Sequence, residues 1–356
     1  MKRRVLAITL AMAMAAGLAG CGGGSSTTGG SAADSTAATT AAAGSEGAEG
    51  TESAEAAGES ALPDWKPSGA VSLVVPAGAG GDTDLTARIF AQYAKEKTGI
   101  DFVVVNANGA AGSVAANQVM SAAPNGETAL FGHCLLSVAN IAGITDYNFT
   151  AFKLGPNFAK NPAQQFYVNA DKYKSLDEFI EAAKANPGQL KACTEVGAYT
   201  YYELLAFEKA AGIDLDLVDA GSASDKIAAM LSGQVDLMPG TYMLNKDYLE
   251  SGQFICLGAP TIEKYDALGD IKTFTEQGID LAFPDTDYSL YFPAETPDEI
   301  IAFFDALAKE LLEDPEVQEA LTSLDVIPYY LNSEDAYAND QTTYDTIKAV
   351  ADQLAE

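Results

Sequence analysis

After about residue 70, short apolar segments alternate with longer amphipathic ones. The predicted strands are VSLVV (71–75), DFVVV (101–105) and TALFG (128–132), and the predicted helices are 84–97 and 113–122. Because strands and helices alternate in units of about 30 residues, the pattern predicts a parallel α/β sheet. Residues 145–165 lack this periodicity and are expected to be irregular, with a strand at 165–168 leading out of the first unit.

A second series of alternating segments follows. Its predicted helices are 176–185, 201–211 and 226–231, and its predicted strands are 190–194, 215–218, 235–238 and 254–259. Ser175 is the expected N-cap of its first helix. A return strand is predicted at 288–292, followed by helices at 297–312, 315–324 and 333–355. Two such series predict an α/β protein of two lobes with a cleft between them: lobe 1 from 67–168 plus 289–356, and lobe 2 from 169–288.

The first 66 residues are typical of export and anchoring. Lys2, Arg3 and Arg4 precede an apolar stretch that is short for a membrane span. Leu18-Ala19-Gly20-Cys21 resembles a bacterial lipobox, which predicts a signal peptide at 1–20 and a lipid on Cys21; an ordinary signal peptide is the alternative. Residues 21–66 are rich in Gly, Ser, Thr, Ala and Glu, which predicts a disordered tether.

Composition narrows the function classes. The formal net charge of −30 argues against nucleic acid as a partner and against an electrostatic membrane role, so membrane contact is expected only through the lipid. Cys134, Cys193 and Cys256 are interpreted as buried free thiols, with a Cys193–Cys256 bridge left open. Trp65 is expected to pack on the domain edge.

The strongest local signal is the glycine-rich turn that follows the first strand and opens a helix. Its glycines permit close approach to backbone N–H groups, and a helix N-terminus favours a carboxylate or phosphate. No Gly-Lys-Ser/Thr follows, which excludes a Walker A loop. Thr83 is the expected N-cap. The candidate binding residues in this turn are Ala77, Gly78, Gly80, Gly81, Asp82, Thr83 and Asp84.

Other strand-to-helix turns are expected to line the same cleft. The turn at 106–112 is interpreted as mainly structural, whereas turns of the second series are expected to face the ligand. Tyr199, Tyr201 and Tyr242 could close over it, or simply pack. The second-series candidates are Val196, Gly197, Ala198, Tyr199, Thr200, Asp219, Ser222 and Tyr242.

An enzyme is the less favoured reading. His133, the only histidine, is interpreted as a packed or loop-shaping residue in preference to a ligand contact, although its strand-end position keeps it among the candidates. No Gly-x-Ser-x-Gly and no metal-ligand spacing occurs, so neither a cofactor nor a metal is expected. A structural or adhesive lipoprotein would have no need of opposed anion-binding turns.

Several motifs together resemble the solute receptors of tripartite tricarboxylate transporters, the Bug-type receptors. The resemblance covers nearly everything after residue 70, and no motif is diagnostic alone. The matching positions are Val75, Pro76, Gly80, Gly81, Asp84, Ala87 and Arg88; Asn106, Gly109, Ala110 and Gly112; 122–130; 233–238; and Thr273, Glu276 and Gly278.

The resemblance implies a two-lobed, type II-like periplasmic-binding-protein fold that closes on a carboxylated ligand. It implies that 77–84 and 196–200 hold the carboxylate. Where the family carries a lysine, in Pro-Tyr-Lys-Gly-Ser, this chain has Val218-Asp219-Ala220-Gly221-Ser222. Extra acids would repel a multiply charged anion, which favours a mono- or dicarboxylate, with or without an amine or aromatic part, over citrate.

The predicted function is an extracytoplasmic, lipid-anchored receptor that delivers a small organic anion to integral membrane transporter subunits. The alternative is a binding protein for an amino acid or aromatic acid that acts as a sensor or ABC-type receptor. Binding is expected to rely on backbone donors, since Arg88 is the only arginine after the signal peptide. Arg88 itself is expected to pin the glycine turn or pair with a nearby acid.

Overall fold

The computed structural model describes residues 62–195 and 197–355. The predicted signal peptide, Cys21, most of the predicted tether and Val196 lie outside these residues. No helix within the described ranges is long and apolar enough to cross a membrane.

Strands and helices alternate along the described chain, as the apolar pattern predicts. The strands are β1 Val71–Val75, β2 Phe102–Asn106, β3 Thr128–Gly132, β4 Phe152–Asn161, β5 Gln165–Asn169, β6 Lys191–Thr194, β7 Asp216–Asp219, β8 Met238–Gly240, β9 Phe254–Gly258, β10 Thr286–Pro293 and β11 Ile327–Leu331. The longer helices are α1 Asp82–Thr98, α2 Ser113–Met120, α3 Leu135–Ile141, α4 Leu176–Ala185, α5 Tyr199–Ala211, α6 Ala223–Leu231, α7 Tyr242–Glu250, α8 Asp298–Glu313, α9 Pro315–Thr322 and α10 Ser333–Ala355.

Six strands form one sheet in the order β11-β4-β10-β3-β1-β2. β1 pairs in parallel with β2 and β3, whereas β10 runs antiparallel to β3 and β4, and β11 antiparallel to β4. The prediction of a parallel sheet therefore holds for the first three strands and is wrong for the other half. The reason is that the chain returns to this sheet only after the second series, and β10 then inserts between β3 and β4, antiparallel to both.

β4 corrects the prediction that 145–165 is irregular. It is a ten-residue strand with β10 on one side and β11 on the other. All its residues except Lys153 are buried, including Asn157 and Lys160. A strand buried on both faces need not alternate, and Gly155 and Pro156 further hide the strand signal.

Helices cover both faces of the six-stranded sheet. Val71, Leu73 and Val75 pack with α1, α8 and α9 on one face, and Val74 packs with α2 and α10 on the other. Trp65 lies against Phe303 and Phe304, with ring centroids 5.0 and 5.3 Å away, so the prediction that it packs is confirmed.

The second series builds two smaller sheets. β5 pairs antiparallel with β8 and β9, and β6 pairs in parallel with β7. Phe166, Phe207 and Phe274 fill the core between these strands and helices α4 and α5. β8 begins at Met238, later than predicted, because Leu237 makes only a single bridge to Ala192.

Two predictions about individual side chains are confirmed. The Ser175 hydroxyl accepts a hydrogen bond from Glu178 N at 3.2 Å and caps α4. Cys134, Cys193 and Cys256 are free thiols, so no Cys193–Cys256 bridge exists. Burial raises the pKa of all three thiols above its ordinary range.

The chain passes between the large sheet and the smaller ones at 162–164, and returns just before β10. The Asp285 carboxylate links these crossings: Oδ1 accepts hydrogen bonds from Ala163 N at 3.3 Å and Thr261 Oγ1 at 2.8 Å. Lys160 Nζ lies 3.4 Å from its other oxygen. The division into two lobes at residues 168 and 289 stays a prediction.

Candidate ligand-binding cleft

The glycine turn between β1 and α1 is braced by Asp84. This carboxylate accepts hydrogen bonds from Gly80 N at 2.8 Å, from Arg88 Nε and Nη2 at 3.0 and 2.9 Å, and from Asn106 Nδ2 at 2.9 Å. Asp84 is 1% exposed. Burial acts to raise its pKa, but the hydrogen bonds from Arg88, Gly80 and Asn106 prevail and lower it. Arg88 therefore pins the turn through Asp84, as expected.

Asp82 supplies a second carboxylate to the same turn. Its Oδ1 accepts from Thr83 N at 2.8 Å, and its Oδ2 accepts from Tyr288 Oη at 3.0 Å and Asn161 Nδ2 at 3.4 Å. Two N–H groups at the start of α1, those of Gly80 and Thr83, are thus taken by the chain's own acids. The N-cap is Gly81 and not Thr83, because α1 begins at Asp82, two residues earlier than predicted.

The second glycine turn, residues 106–112, is interpreted from the sequence as mainly structural. In the structure its residues Asn108, Ala111 and Gly112 line a cavity. Ala110 and Ala111 adopt positive φ angles of 46° and 51°, which is uncommon for residues with a Cβ. Gly112 has φ +84°, and a Cβ there would lie 1.9 Å from Leu135 Cδ1. Left-handed alanines persist only where surrounding packing enforces them, and such strain clusters at ligand sites.

A cavity of about 190 Å³ lies where turns of the two series meet. The first series contributes residues after β1, from the second glycine turn and from α3. The second series contributes residues from the start of α5 and from α6, and the crossing segment contributes Gln164. Its lining residues are Pro76, Asn108, Ala111, Gly112, His133, Leu135, Val138, Gln164, Glu195, Ala198, Tyr199, Thr200 and Lys226.

Four predicted site residues line this cavity: His133, Ala198, Tyr199 and Thr200. The seven candidates of the first glycine turn, in 77–84, are not among its lining residues, and only Pro76 next to them is. Ala198 is the N-cap of α5 and gives the helix no side-chain cap. Thr200 is buried, and its Oγ1 lies 2.7 Å from Thr194 Oγ1. The start of α5 therefore presents backbone donors to the cavity.

Two of these residues are held by the protein itself. The Tyr199 hydroxyl donates to the Pro284 carbonyl, and the ring packs edge-on against Phe283. His133 lies edge-on to Tyr288, with ring centroids 6.1 Å apart. Burial lowers the His133 pKa against the attraction of Asp82, which favours the neutral imidazole. The contact of His133 fits the packing role that the sequence favoured for it. For Tyr199, packing was one of two alternatives that the sequence left open.

Four further second-series candidates among the described residues do not line this cavity: Gly197, Asp219, Ser222 and Tyr242. Gly197 has φ +80°, with the Ala142 side chain 3.2 Å from the position of a Cβ. Asp219 accepts from Gly221 N at 3.0 Å and lines a separate, open depression beside α6. Ser222 caps α6 in a reciprocal pair with Asp225. Tyr242 borders a small pocket beside Asn161.

Sequence reasoning missed several lining residues, notably Asn108, Gln164, Glu195 and Lys226. Gln164 lies in the crossing segment, which carries no periodic signal. The sequence pattern predicts a helix that begins at Lys226, whereas α6 begins at Ala223 and places Lys226 in its first turn. A lysine in the first turn of a helix opposes the helix dipole, and this unfavourable position is the signal that could have marked Lys226 as a functional residue.

Beneath the second-series wall lies a buried carboxylate. Glu203, in α5, is fully buried, and neither carboxylate oxygen has a hydrogen-bond partner among the described residues. Burial raises its pKa well above the ordinary range, despite the lowering influence of the Gln164 backbone and the Lys226 ammonium.

A mixed α/β sheet and a second sheet-containing region give this chain the fold of periplasmic binding proteins. The sequence model for the tripartite tricarboxylate transporter family receptor matches residues 86–355, and this chain belongs to that family. The predicted family and fold class are thereby confirmed. The family comprises substrate-binding receptors and is not a family of enzymes.

Individual relatives agree with this assignment. A Cupriavidus necator protein, "UPF0065 protein in gbd 5′ region", is 28% identical over 310 residues, which cover 84% of this chain and 93% of that protein. MatC from Rhodopseudomonas palustris with bound malate is 23% identical at a TM-score of 0.71, covering 80% of this chain and 100% of that one. Another R. palustris protein, with adipate, is 22% identical at a TM-score of 0.74, covering 81% and 98%. The two structures show a shared fold.

Proposed function

We propose that this protein is an exported lipoprotein that captures a small carboxylate-bearing anion and delivers it to a tripartite tricarboxylate-type membrane transporter. The cavity between the two series carries the proposal, because the uncapped start of α5 opens on it from one side and the second glycine turn faces it from the other. Family membership supports delivery to a transporter.

The ligand that fits this cavity is small. The cavity has a volume of about 190 Å³. A short-chain organic acid matches that size, as do malate and adipate, which are bound by two relatives of the same fold.

The first glycine turn is proposed to hold one end of the ligand through its remaining backbone donors. Ala77 and Gly78 belong to this contact. Gly81, whose N–H donates to the Gly78 carbonyl at 3.4 Å, allows the close approach because it has no side chain, and Asp82, Thr83 and Asp84 lie behind the turn. Because the Asp82 and Asp84 carboxylates already fix Gly80 and Thr83, the turn keeps its shape before a ligand arrives. Preorganised donors bind an anion at a lower entropic cost. Val196 and Gly197, which precede the start of α5, are proposed to complete this side of the cleft, whereas Asp219, Ser222 and Tyr242 line other parts of the fold.

Binding is proposed to close the cleft about the two crossings, at 162–164 and before β10. Small-angle scattering with and without ligand tests this motion, which is expected to reduce the radius of gyration at saturation. An unchanged scattering profile at saturation would contradict closure.

Acid recognition is tested by thermal denaturation of the full-length protein in detergent, with malate, adipate and the corresponding diamides. An acid at about 100 times its dissociation constant stabilises the protein by roughly 2.7 kcal/mol. We expect a shift with at least one acid and none with its diamide. Equal shifts with acid and diamide, or none across a wider carboxylate panel, would contradict the proposed function.

Lipid anchoring is tested by the Cys21→Ala variant. Because the lipid is the proposed membrane contact, this variant is expected to leave the membrane fraction and appear in the soluble fraction on fractionation and immunoblotting. Cys256→Ala, which removes a thiol from the folded part, serves as the control and should stay with the membranes. Retention of Cys21→Ala at the wild-type level would refute the anchor.

A further inference from the structure

Lys226 projects from the first turn of α6 into the lining of the cavity. Its Nζ lies 3.5 Å from Thr200 Oγ1, at the start of α5. A helical side chain leans toward the N-terminus of its helix, which carries this ammonium toward the turn where the second series meets the cleft. Lys226 is therefore a cation placed beside the backbone donors of α5.

No carboxylate of the described residues lies within salt-bridge distance of Lys226. Elsewhere in the fold, the buried Lys160, the exposed Lys172 and the partly buried Lys246 each pair with an aspartate at 2.9–3.4 Å. Lys226 is partly buried and has a pKa lowered by that burial. A buried charge without a partner is costly, so its persistence at the cavity wall calls for a partner that arrives from outside.

The charges around Lys226 leave it uncompensated. Glu195 and Asp219 act on it from a distance and are exposed to solvent, and the Cys193 thiol is held neutral by burial. Glu203 lies beneath it, but burial raises the pKa of that carboxyl well above its ordinary range, which disfavours its charged form. A ligand carboxylate is the counterion that this environment lacks.

The stability of α6 does not explain the lysine. Ser222 and Asp225 already cap this helix reciprocally, and Asp225 provides the acid that a first turn favours. A cation in the first turn opposes the helix dipole by roughly 0.3–1 kcal/mol. The dipole and the ammonium both attract an anion, so the position serves binding better than folding.

We propose that Lys226 binds a carboxylate of the ligand, aided by the Thr200 hydroxyl and the N-terminus of α5. This inference rests on the proposed function and narrows it. The first glycine turn offers donors to one end of the ligand and Lys226 to the other, so the preferred ligand is a dicarboxylate.

The test is calorimetry on full-length protein with adipate, malate and adipate monomethyl ester. We expect Lys226→Met to lose about tenfold or more in affinity for the dicarboxylate, as removal of a charged hydrogen-bond partner does. The wild type should prefer adipate to its monoester, and Lys226→Met should lose that preference. Lys226→Arg keeps the charge and should remain within about threefold of wild type.

Lys184→Met is the matched control, since Lys184 is an exposed lysine of α4 and its removal changes the net charge equally. A purely structural lysine would lower the melting temperature when removed, whereas removal of an uncompensated charge should leave it unchanged or raise it. Wild-type affinity and preference in Lys226→Met would overturn the proposal while leaving the receptor function intact. Absence of binding by the wild type to all acids would overturn both.

Discussion

The two sides of the proposed cleft satisfy their polar groups differently. On the first side lies the first glycine turn, which borders the cavity only through Pro76. In this turn Asp84 receives hydrogen bonds from Gly80, Arg88 and Asn106, and Asp82 receives them from Thr83 and Tyr288. On the second side, the Lys226 ammonium has no acidic partner and Glu203 has no hydrogen-bond partner among the described residues. One wall is complete before binding, and the other is not.

The first glycine turn is the most recognisable motif in the sequence, yet the polar groups that lack partners lie on the second side. The glycine turn is rigid because its own acids fix it, and it offers only those donors that remain. The second wall carries an uncompensated charge, which a ligand can neutralise. A fixed wall and an unsatisfied wall suit a receptor that closes on its ligand, since the second wall gains most when the cleft shuts.

The largest expected effect on stability follows from substituting Asp84 in the first glycine turn. Asp84→Asn removes the buried charge that Arg88, Gly80 and Asn106 share, and we expect a loss of about 3 kcal/mol in the free energy of unfolding, measured with urea. Asp101→Asn is the control, because Asp101 forms only an exposed ion pair with Lys95. That variant should lose less than about 1 kcal/mol. Equal losses in both variants would show that the turn is not braced by Asp84.

On the second side of the cleft, a substitution at Glu203 is expected to raise stability instead of lowering it. Because the Glu203 pKa is raised in the folded state, that state holds a proton that the unfolded chain releases, and stability falls as pH rises above the ordinary glutamate pKa. Glu203→Gln removes this fall and should be about 2 kcal/mol more stable than wild type at pH 8. Near pH 4 the two proteins should be alike. Urea unfolding across this range checks the prediction, and a Gln variant less stable at pH 8 would contradict it.

A smaller effect is expected at Arg88, whose side chain is 49% exposed. Arg88→Gln keeps a donor near Asp84 but loses the two-point contact, so we expect a loss of about 1 kcal/mol in stability. Acid affinity should change by less than about threefold, because Arg88 acts on the turn and not on the ligand. Complete loss of binding in a folded Arg88→Gln protein would show that Arg88 contacts the ligand, and would contradict the view that the first side is fixed by its own acids.

Much of the fold was predictable because most elements carry clear periodicity. The bounds of β1, β3, α4 and α10 match their predictions. β4 was missed because burial on both faces, with buried Asn157 and Lys160, erases the alternation. α3 was missed because its seven residues, LLSVANI, form a short apolar run, in which a helix and a buried strand look alike.

The site was predicted less completely than the fold. Turns that follow strands could be recognised, and Ala198, Tyr199 and Thr200 do line the cavity. Gln164 and Lys226 could not be placed, since their positions depend on where the chain crosses between sheets and on the true start of α6. The bracing role of Asp82 depends on Tyr288, which is 206 residues away in the chain.

The central claim, that a small acid binds in the cleft against the first glycine turn, is tested most directly at Gly81. A Cβ there meets only the Gly78 carbonyl oxygen, at 3.5 Å, so Gly81→Val should fold with a cost of about 1 kcal/mol while its side chain blocks the backbone donors. Calorimetry with the acid that stabilises the wild type should show no binding by Gly81→Val and unchanged binding by Gly69→Val, a control whose Cβ also meets no obstacle. Wild-type affinity in Gly81→Val would contradict the account.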